Sequence, residues 1–161
     1  MVALRPGRSD PARAPIEPDP YSAMHGLPLR LEPGADLRAS LEAMAQADGL
    51  SAFVVCGIGS LAGASLRLAG AESPTSVPGD VEILSLSGTL TPDGAHLHMA
   101  IADAQGRVIG GHVCHGNVVR TTAELLLVSL PEWRLGREPD AGTGFDELVV
   151  RQRPPWAQNA A

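Results

Sequence analysis

Three histidines on two neighbouring segments have the residue type and spacing best suited to chemistry in this chain, and that chemistry is metal binding. His96 and His98 are separated by one residue, and His112 directly follows the pair Gly110-Gly111. Residues two apart on a β-strand point to the same face, with Cβ atoms about 6.5–7 Å apart. Both imidazoles can then reach one ion that lies about 2.0–2.1 Å from each ring nitrogen. The spacing predicts a divalent-metal site, with zinc as the expected ion, provided that His112 reaches the same face.

The length of the loop between the two histidine segments decides whether His112 shares that face. An odd number of loop residues places His112 directly opposite His98. The same register would place Cys114 opposite His96. A two-residue turn would instead direct His112 to the other face of the sheet. The motif therefore predicts a loop of three or five residues, or a β-bulge at Gly110-Gly111.

The remaining segments predict the framework that must hold these histidines. Apolar residues at helical spacing follow Asp36, a suitable N-cap, and Gly49 stands where a C-terminal cap belongs. Ser51–Ile58 is apolar almost throughout, which favours a central strand covered on both faces. Further strands are expected at Leu27–Leu31, Ala64–Leu68, Val81–Leu90, Ala123–Leu130 and Phe145–Val150, the last of them closing the sheet as an edge strand. These elements predict an α+β fold in which one main helix packs on a largely antiparallel sheet of six to seven strands.

A glycine pattern in the middle of the chain resembles a nucleotide-binding motif without its structural context. Gly57–Ala62 matches G-x-G-x-x-A and follows a strand. A dinucleotide fingerprint opens a helix, whereas Ala64–Leu68 alternates like a strand. We therefore interpret the glycines as a tight strand-to-strand turn and expect no nucleotide cofactor.

Size and composition limit the domain organisation. The chain has 161 residues, 44% of them hydrophobic, which gives room for one domain with a proper core. Residues 1–25 are rich in proline and contain no apolar run, so we expect a disordered tail that is neither a signal peptide nor a membrane span. Residues 151–161 have the composition of a second loose tail, which leaves residues 26–150 as the folded unit.

Charge and cysteine content exclude several classes of function. The formal net charge is −6, which opposes a general phosphate-binding surface, because nucleic-acid affinity depends mainly on neutralised phosphates. All twelve basic residues are arginine, so Schiff-base chemistry, pyridoxal phosphate attachment and the P-loop lysine are excluded. Cys56 and Cys114 are the only cysteines, and without an export signal we interpret them as reduced thiols of a cytoplasmic protein.

Several short blocks, in their order along residues 26–150, resemble the plant and prokaryote conserved (PPC) domain family. The blocks are Leu31–Leu37, Gly57–Leu61, Glu82–Gly88, His96–His98, Gly106–His112 and Thr143–Leu148. The resemblance implies a compact α+β subunit that assembles into a homotrimer, and it implies zinc binding by His96, His98 and His112. The family fold is also similar to that of acetolactate decarboxylase, which uses an H-x-H plus H zinc site for catalysis. The resemblance thus implies an acetolactate-decarboxylase-like architecture and leaves an enzymatic function open.

The family resemblance also raises the question of DNA. Plant members join this domain to an AT-hook, a short Arg-Gly-Arg-Pro element that inserts into the minor groove. Here Arg5-Pro6-Gly7-Arg8 has the composition of that element in a different order, and acidic residues surround it. We therefore expect direct DNA binding to be weak or absent. The resemblance leaves a regulatory or DNA-associated module, which acts mainly through protein partners, as the first functional expectation.

Two other functions stay open, and both depend on what surrounds the metal. A zinc-dependent lyase or hydrolase acting on a small oxo-acid would need an acid or base and an anion holder beside the ion. A small-molecule sensor would use the metal to anchor its ligand. The charged strand residues that could supply such groups are Glu82, Glu124, Arg107 and Arg120. No catalytic residue is assigned from the sequence.

Three further residues could approach the site, and the sequence favours an ordinary role for each. Cys114 shares the predicted face and could act as a fourth ligand, but the family places an apolar residue there, so core packing is the favoured role. His115 has the wrong strand parity for the metal and is expected to form hydrogen bonds at most. His25 lies beside the expected N-terminal tail and should be exposed to solvent.

Overall fold

The computed structural model describes residues 24–153. The first strand begins at His25 and the last strand ends at Gln152. Most of the two predicted tails, residues 1–25 and 151–161, therefore lies outside the described residues.

The described chain contains ten strands and one helix. Their bounds are β1 (His25–Leu31), α1 (Leu37–Asp48), β2 (Ala52–Leu61), β3 (Ala64–Arg67), β4 (Thr75–Val77), β5 (Val81–Thr91), β6 (Gly94–Asp103), β7 (Val108–Val113), β8 (Val119–Ser129), β9 (Trp133–Pro139) and β10 (Asp146–Gln152). The predicted elements all form, and β4 and β9 are additional. Both were missed because Ser, Pro and Gly interrupt the first region and Arg, Gly and Pro interrupt the second, so neither shows regular alternation.

The strands form one large sheet and one separate ribbon. The large sheet has eight strands in the order β1-β8-β2-β5-β6-β7-β3-β4, and β9 pairs only with β10. All of these pairings are antiparallel. The α+β class with a single main helix is confirmed for the described residues. The strand count of six to seven was too low, and the prediction that Phe145–Val150 closes the sheet is wrong, because β10 joins the ribbon instead.

The helix begins and ends at the residues that the sequence predicts. The Asp36 carboxylate accepts a hydrogen bond from the backbone N–H of Ala39, and Gly49 adopts the left-handed conformation at the C-terminus. Leu37, Leu41 and Ala45 of α1 are fully buried against one face of the large sheet. This packing forms the main hydrophobic core. With twelve residues, α1 is too short to cross a membrane, and no other helix is present in residues 24–153.

The opposite face of the large sheet, called the outer face below, carries side chains that alternate with the core residues. On it Val55, Ile58, Leu84 and Leu126 are 51%, 58%, 51% and 36% exposed. The expectation that Ser51–Ile58 is covered on both faces is therefore wrong for a single chain, because only the helix-facing side of β2 is buried.

The glycines of the apparent nucleotide motif lie inside β2. Gly57 and Gly59 are strand residues, and the chain turns only after Leu61. A Cβ atom at Gly57 would lie 3.0 Å from the Leu86 side chain, and one at Gly59 would overlap the Thr122 carbonyl oxygen. The interpretation as a strand-to-strand turn is wrong: these glycines allow close packing of β2 against its neighbours.

Candidate metal centre

The loop of the histidine hairpin has the predicted odd length. Ala102 pairs with Val108, and this register places His98 directly opposite His112. Inside that pair, the backbone N–H of Asp103 donates to the carbonyl oxygen of Arg107. The Asp103 carboxylate in turn accepts a hydrogen bond from the backbone N–H of Arg107. Three residues remain in the loop, as predicted, and Gly106 supplies the positive φ of 75° that closes it.

The three predicted ligands lie together on the outer face. One ring nitrogen from each of His96, His98 and His112 lies within 4.8 Å of the other two. The Nε2 atoms of His96 and His98 are 3.1 Å apart. Two nitrogens on one tetrahedral zinc ion, each at about 2.0–2.1 Å, lie about 3.3 Å apart. The donor set and its spacing therefore fit a zinc ion with small movements of the rings.

The surroundings favour the neutral imidazoles of His96 and His112, which is the form that binds a metal. Burial lowers the pKa of His96, and the charges of Arg137, His98 and His112 lower it further, while Glu147 opposes them. Burial also lowers the pKa of His112, with added effects of His98 and nearby arginines. The lowered pKa values of His96 and His112 mean that protons compete less with an arriving cation at these two residues.

The pairing of β6 with β7 ends at His98 and His112, and the two strands separate beyond that point. The expected pairing of His96 with Cys114 is therefore wrong, because the backbone N–H of Cys114 instead donates to Ser65 of the neighbouring strand. The strand separation opens a cavity beside His96.

The Arg38 guanidinium of α1 fills the space between the separated strands. It donates to the carbonyl oxygens of Val113 on β7 and Ala95 on β6, at 2.8 and 3.1 Å. Its Nε donates to Glu42 at 2.8 Å. Burial alone would raise the pKa of Glu42, but the hydrogen bond and charge of Arg38, together with bonds from Ala95 and His115, lower it overall. The ion pair is thus a fixed connection from the helix to both histidine strands.

The cavity beside the histidines has a volume of roughly 450 Å³ and lies between the large sheet and the ribbon. The ribbon contributes Arg137, Phe145, Asp146 and Glu147 to its wall. Arg137 is held in place because its guanidinium donates to the Thr89 hydroxyl and its backbone N–H donates to Asp93. The histidine cluster therefore opens into a polar space that also contains arginines and carboxylates.

The other residues that the sequence placed near the site lie elsewhere or form other contacts. His115 bonds the Glu42 carboxylate at 3.0 Å, as expected of a hydrogen-bonding residue. Cys114 lines the cavity but is not part of the ligand cluster. His25 is exposed on β1 and also lies outside the cluster. Both cysteines are free thiols; Cys56 is exposed and Cys114 is half-buried.

None of the charged residues suggested as suppliers of an acid, base or anion holder lines the cavity. Arg107 pairs with Asp103 in the hairpin loop, and Arg120 pairs with Asp80. Glu82 and Glu124 are exposed strand residues away from the cavity. The residues actually present there are Arg38, Arg67, Arg137, Asp93, Asp146 and Glu147. Arg67 stands on a strand that the sequence predicts, Ala64–Leu68, but nothing in the sequence indicates that this strand pairs with β7 beside the histidines.

Fold and cluster together define an α+β domain with a three-histidine centre on the outer face of its sheet. Residues 19–131 match the family described as the Plants and Prokaryotes Conserved (PCC) domain, for which the abbreviation PPC is also used. The chain belongs to this family. The matched range includes all three histidines and ends before the ribbon begins at Trp133.

A curated relative extends the match in sequence. The chain is 45% identical over 161 residues to the bifunctional protein GlmU of Synechococcus sp. (strain JA-3-3Ab), which covers 97% of this chain and 26% of that protein. The chain therefore spans about a quarter of the length of this relative.

Two solved structures extend the match in fold. A protein of Salmonella enterica has a TM-score of 0.79 and 41% identity, with 83% of this chain and 97% of that chain covered. The metal-containing protein AF0104 from Archaeoglobus fulgidus has a TM-score of 0.64 and 25% identity, with 78% and 93% covered.

Proposed function

We propose that the protein is a zinc-binding PPC-domain module in which His96, His98 and His112 are the three protein ligands. The observation that carries this proposal is the convergence of three imidazole nitrogens within 4.8 Å on one sheet face. The description of AF0104 as metal-containing gives further support. A bound zinc ion would supply a Lewis acid with one coordination position left for solvent or ligand.

The open position follows from the residues around the cluster. A closed structural zinc site needs a fourth protein ligand. Within residues 24–153, no cysteine or carboxylate joins the three histidines in the cluster. The Cys114 thiol instead makes a weak contact of 3.8 Å with the His112 carbonyl oxygen. The site is therefore suited to an ion that meets a ligand from the adjoining cavity.

The assembly that we propose is a homotrimer. The outer face exposes Val55, Ile58, Leu84 and Leu126, and neighbouring copies of the chain would cover these side chains. Light scattering at micromolar concentration should give three times the 16.7 kDa of one chain. A monomeric mass would contradict this part of the proposal.

We further propose that any regulatory or DNA-associated role acts through protein partners. The net charge of −6 supports this, because a direct contact with duplex DNA depends on neutralising phosphates. Submicromolar binding of the purified protein to duplex DNA at physiological salt, with a steep salt dependence, would overturn it.

A second candidate function is a zinc-dependent lyase or hydrolase acting on a small oxo-acid. The specific observation in its favour is the cavity, which places arginines and the Glu147 carboxylate next to the histidines. These are the groups needed to hold an anion and to move a proton. Zinc-dependent turnover of a small oxo-acid that disappears in His98→Ala would support this function. A site that binds zinc without any turnover leaves the binding module as the better description.

The zinc site itself is tested by metal analysis of purified protein. The wild type should hold one zinc ion per chain, and His112→Ala should lose it. His25→Ala is the matched control, since His25 is an exposed strand histidine outside the cluster, and it should keep the metal. Equal zinc content in the wild type and in His112→Ala would refute the proposal.

A further inference from the structure

Arg67 is a half-buried arginine that has no partner among residues 24–153. It lies on β3 directly opposite His112, and its side chain lines the cavity. None of the ion pairs or side-chain hydrogen bonds of the described residues includes its guanidinium. Five N–H donors on a planar cation would normally be matched with a carboxylate or carbonyl group when they leave bulk water. Within residues 24–153 the Arg67 guanidinium therefore has no protein partner, and it faces the cavity next to His112.

Arg137 is the corresponding residue on the other side of the histidines. It projects from the ribbon toward Thr89, which pairs with His96 across β5 and β6. Its remaining contact is a long bond of 3.5 Å to the Asp146 carbonyl oxygen. No ion pair within residues 24–153 includes Arg137, so its charge is also without a carboxylate partner.

Arg38, the third arginine of the cavity, differs from Arg67 and Arg137 because it has a carboxylate partner. Its charge is paired with the Glu42 carboxylate, and each of its three nitrogens already donates a hydrogen bond, two of them to backbone carbonyl oxygens. Among the cavity arginines of residues 24–153, Arg67 and Arg137 are the two whose charge has no carboxylate partner, one beside His112 and the other beside His96.

We propose that Arg67 and Arg137 form a receptor for a small organic acid, whose carboxylate binds the guanidinium groups while its other oxygen faces the three-histidine centre. The inference rests on the proposed zinc site, because the bound ion would supply the third positive charge. Bidentate pairing with carboxylate is the geometry that guanidinium groups favour. A ligand of this class would satisfy both arginines at once.

The acidic residues of the cavity favour a carboxylate over a phosphate ester. Asp93, Asp146 and Glu147 line the same space, and their charges oppose a ligand that concentrates about two negative charges on a single group, as a phosphate monoester does. A cavity of roughly 450 Å³ also suits a small acid. We therefore expect a short oxo-acid or dicarboxylate, for which pyruvate and succinate are suitable probes.

The experiment is calorimetric titration of zinc-loaded full-length protein with pyruvate, succinate, inorganic phosphate and the uncharged analogue succinamide. At least one of the two acids should bind, and succinamide should not. Arg67→Gln and Arg137→Gln should each weaken the binding by about tenfold or more, because each removes charged hydrogen bonds. Arg134→Gln is the matched control: this exposed arginine of β9 does not line the cavity and should bind like the wild type.

Zinc content and thermal stability of every variant separate the failure of the receptor from the failure of the metal site. Retained zinc with no binding of either acid, or with unchanged affinity in both glutamine variants, would overturn the receptor. Phosphate binding more than tenfold tighter than both acids would overturn the carboxylate class. If the wild type holds no zinc, the proposed function fails, and the receptor then stands only if zinc-free protein binds an acid and loses it in Arg67→Gln.

Discussion

The eight-stranded sheet and the β9–β10 ribbon contribute different parts of the candidate site. The sheet supplies the three histidines, and the register of β6 with β7 fixes their positions. The ribbon supplies Arg137 and Glu147 on the facing wall. The sheet is backed by the main core, whereas the ribbon is attached by the buried Leu135 and a few hydrogen bonds.

We therefore expect mutations in the ribbon to separate the proposed acid receptor from the proposed metal site. Mutations that destabilise the sheet should affect both proposed functions, because the sheet carries the three histidines and also Arg67. Damage to the ribbon should affect the organic-acid receptor and spare the metal ligands.

The largest effect is expected from Gly88→Ala in β5. Gly88 has a φ of 150°, and an added Cβ would overlap the carbonyl oxygen of His96 on the adjacent strand. Since backbone atoms cannot yield cheaply, we expect a loss of about 4 kcal/mol or more in the free energy of unfolding, together with loss of zinc.

Urea unfolding and metal analysis of Gly88→Ala check this expectation. Gly106→Ala is the matched control, because it has a positive φ but no atom within 4 Å of the added Cβ. Its cost should be only about 1–2 kcal/mol. Equal losses in the two variants would show that the close contact with β6 is unimportant.

The next effect is expected from Leu135→Ala, which removes the buried attachment of the ribbon. Leu135 is 4% exposed and lies outside the main core cluster. Truncation should lower the free energy of unfolding by about 2–3 kcal/mol. Zinc content should be unchanged, while affinity for pyruvate or succinate should fall because Arg137 loses its fixed position. A parallel loss of zinc would contradict the separation of sheet and ribbon.

Glu42→Gln should cost about 2 kcal/mol at neutral pH, because it leaves the partly buried Arg38 without its carboxylate. Burial alone would raise the pKa of Glu42 in the folded state. The hydrogen bond and charge of Arg38 outweigh that effect, so the pKa is lowered overall. The contribution of the pair is therefore fully present above the ordinary glutamate pKa of about 4.3 and is lost as the pH falls through the lower folded value. Urea unfolding at pH 7 and at about pH 3 measures the difference between wild type and variant. A difference that does not shrink in acid would contradict the assignment.

The smallest effect is expected from Asp93→Ala in the β5–β6 turn. The Asp93 carboxylate accepts the Arg137 backbone N–H at 3.2 Å in an exposed position. Its loss should cost about 1 kcal/mol or less. The organic-acid affinity should fall only slightly, as measured by the same calorimetric titration, and the zinc content should remain. A loss as large as that of Leu135→Ala would show that hydrogen bonds, rather than apolar burial, hold the ribbon in place.

The sequence was most informative where local chemistry determines structure. Asp36 and Gly49 mark the helix ends because capping depends on residues that are close in the chain. The facing of His98 and His112 was predictable because strand parity and an odd loop allow one register. Ligand types and spacing were therefore sufficient to identify the cluster.

The parts that the sequence did not predict depend on contacts between distant segments. Phe145–Val150 has the pattern of a strand, but nothing local indicates that its partner is β9 instead of the large sheet. Arg67 reaches the site only because β3 pairs with β7, and Arg137 only because the ribbon folds over the outer face. The three-histidine cluster was predictable from the hairpin, while the charged groups around it were not.

The hairpin origin of the three histidines also has a consequence for the order in which the protein folds. All three come from two consecutive strands, β6 and β7, which a three-residue loop connects. The entropy lost in bringing the histidines together is therefore small. The arginines come from β3 and β9, which lie far away along the chain on either side of these two strands, and contacts over such separations form slowly. Zinc present during folding should therefore be captured before the receptor is complete, and an early ion could act as a template on which the later strands assemble.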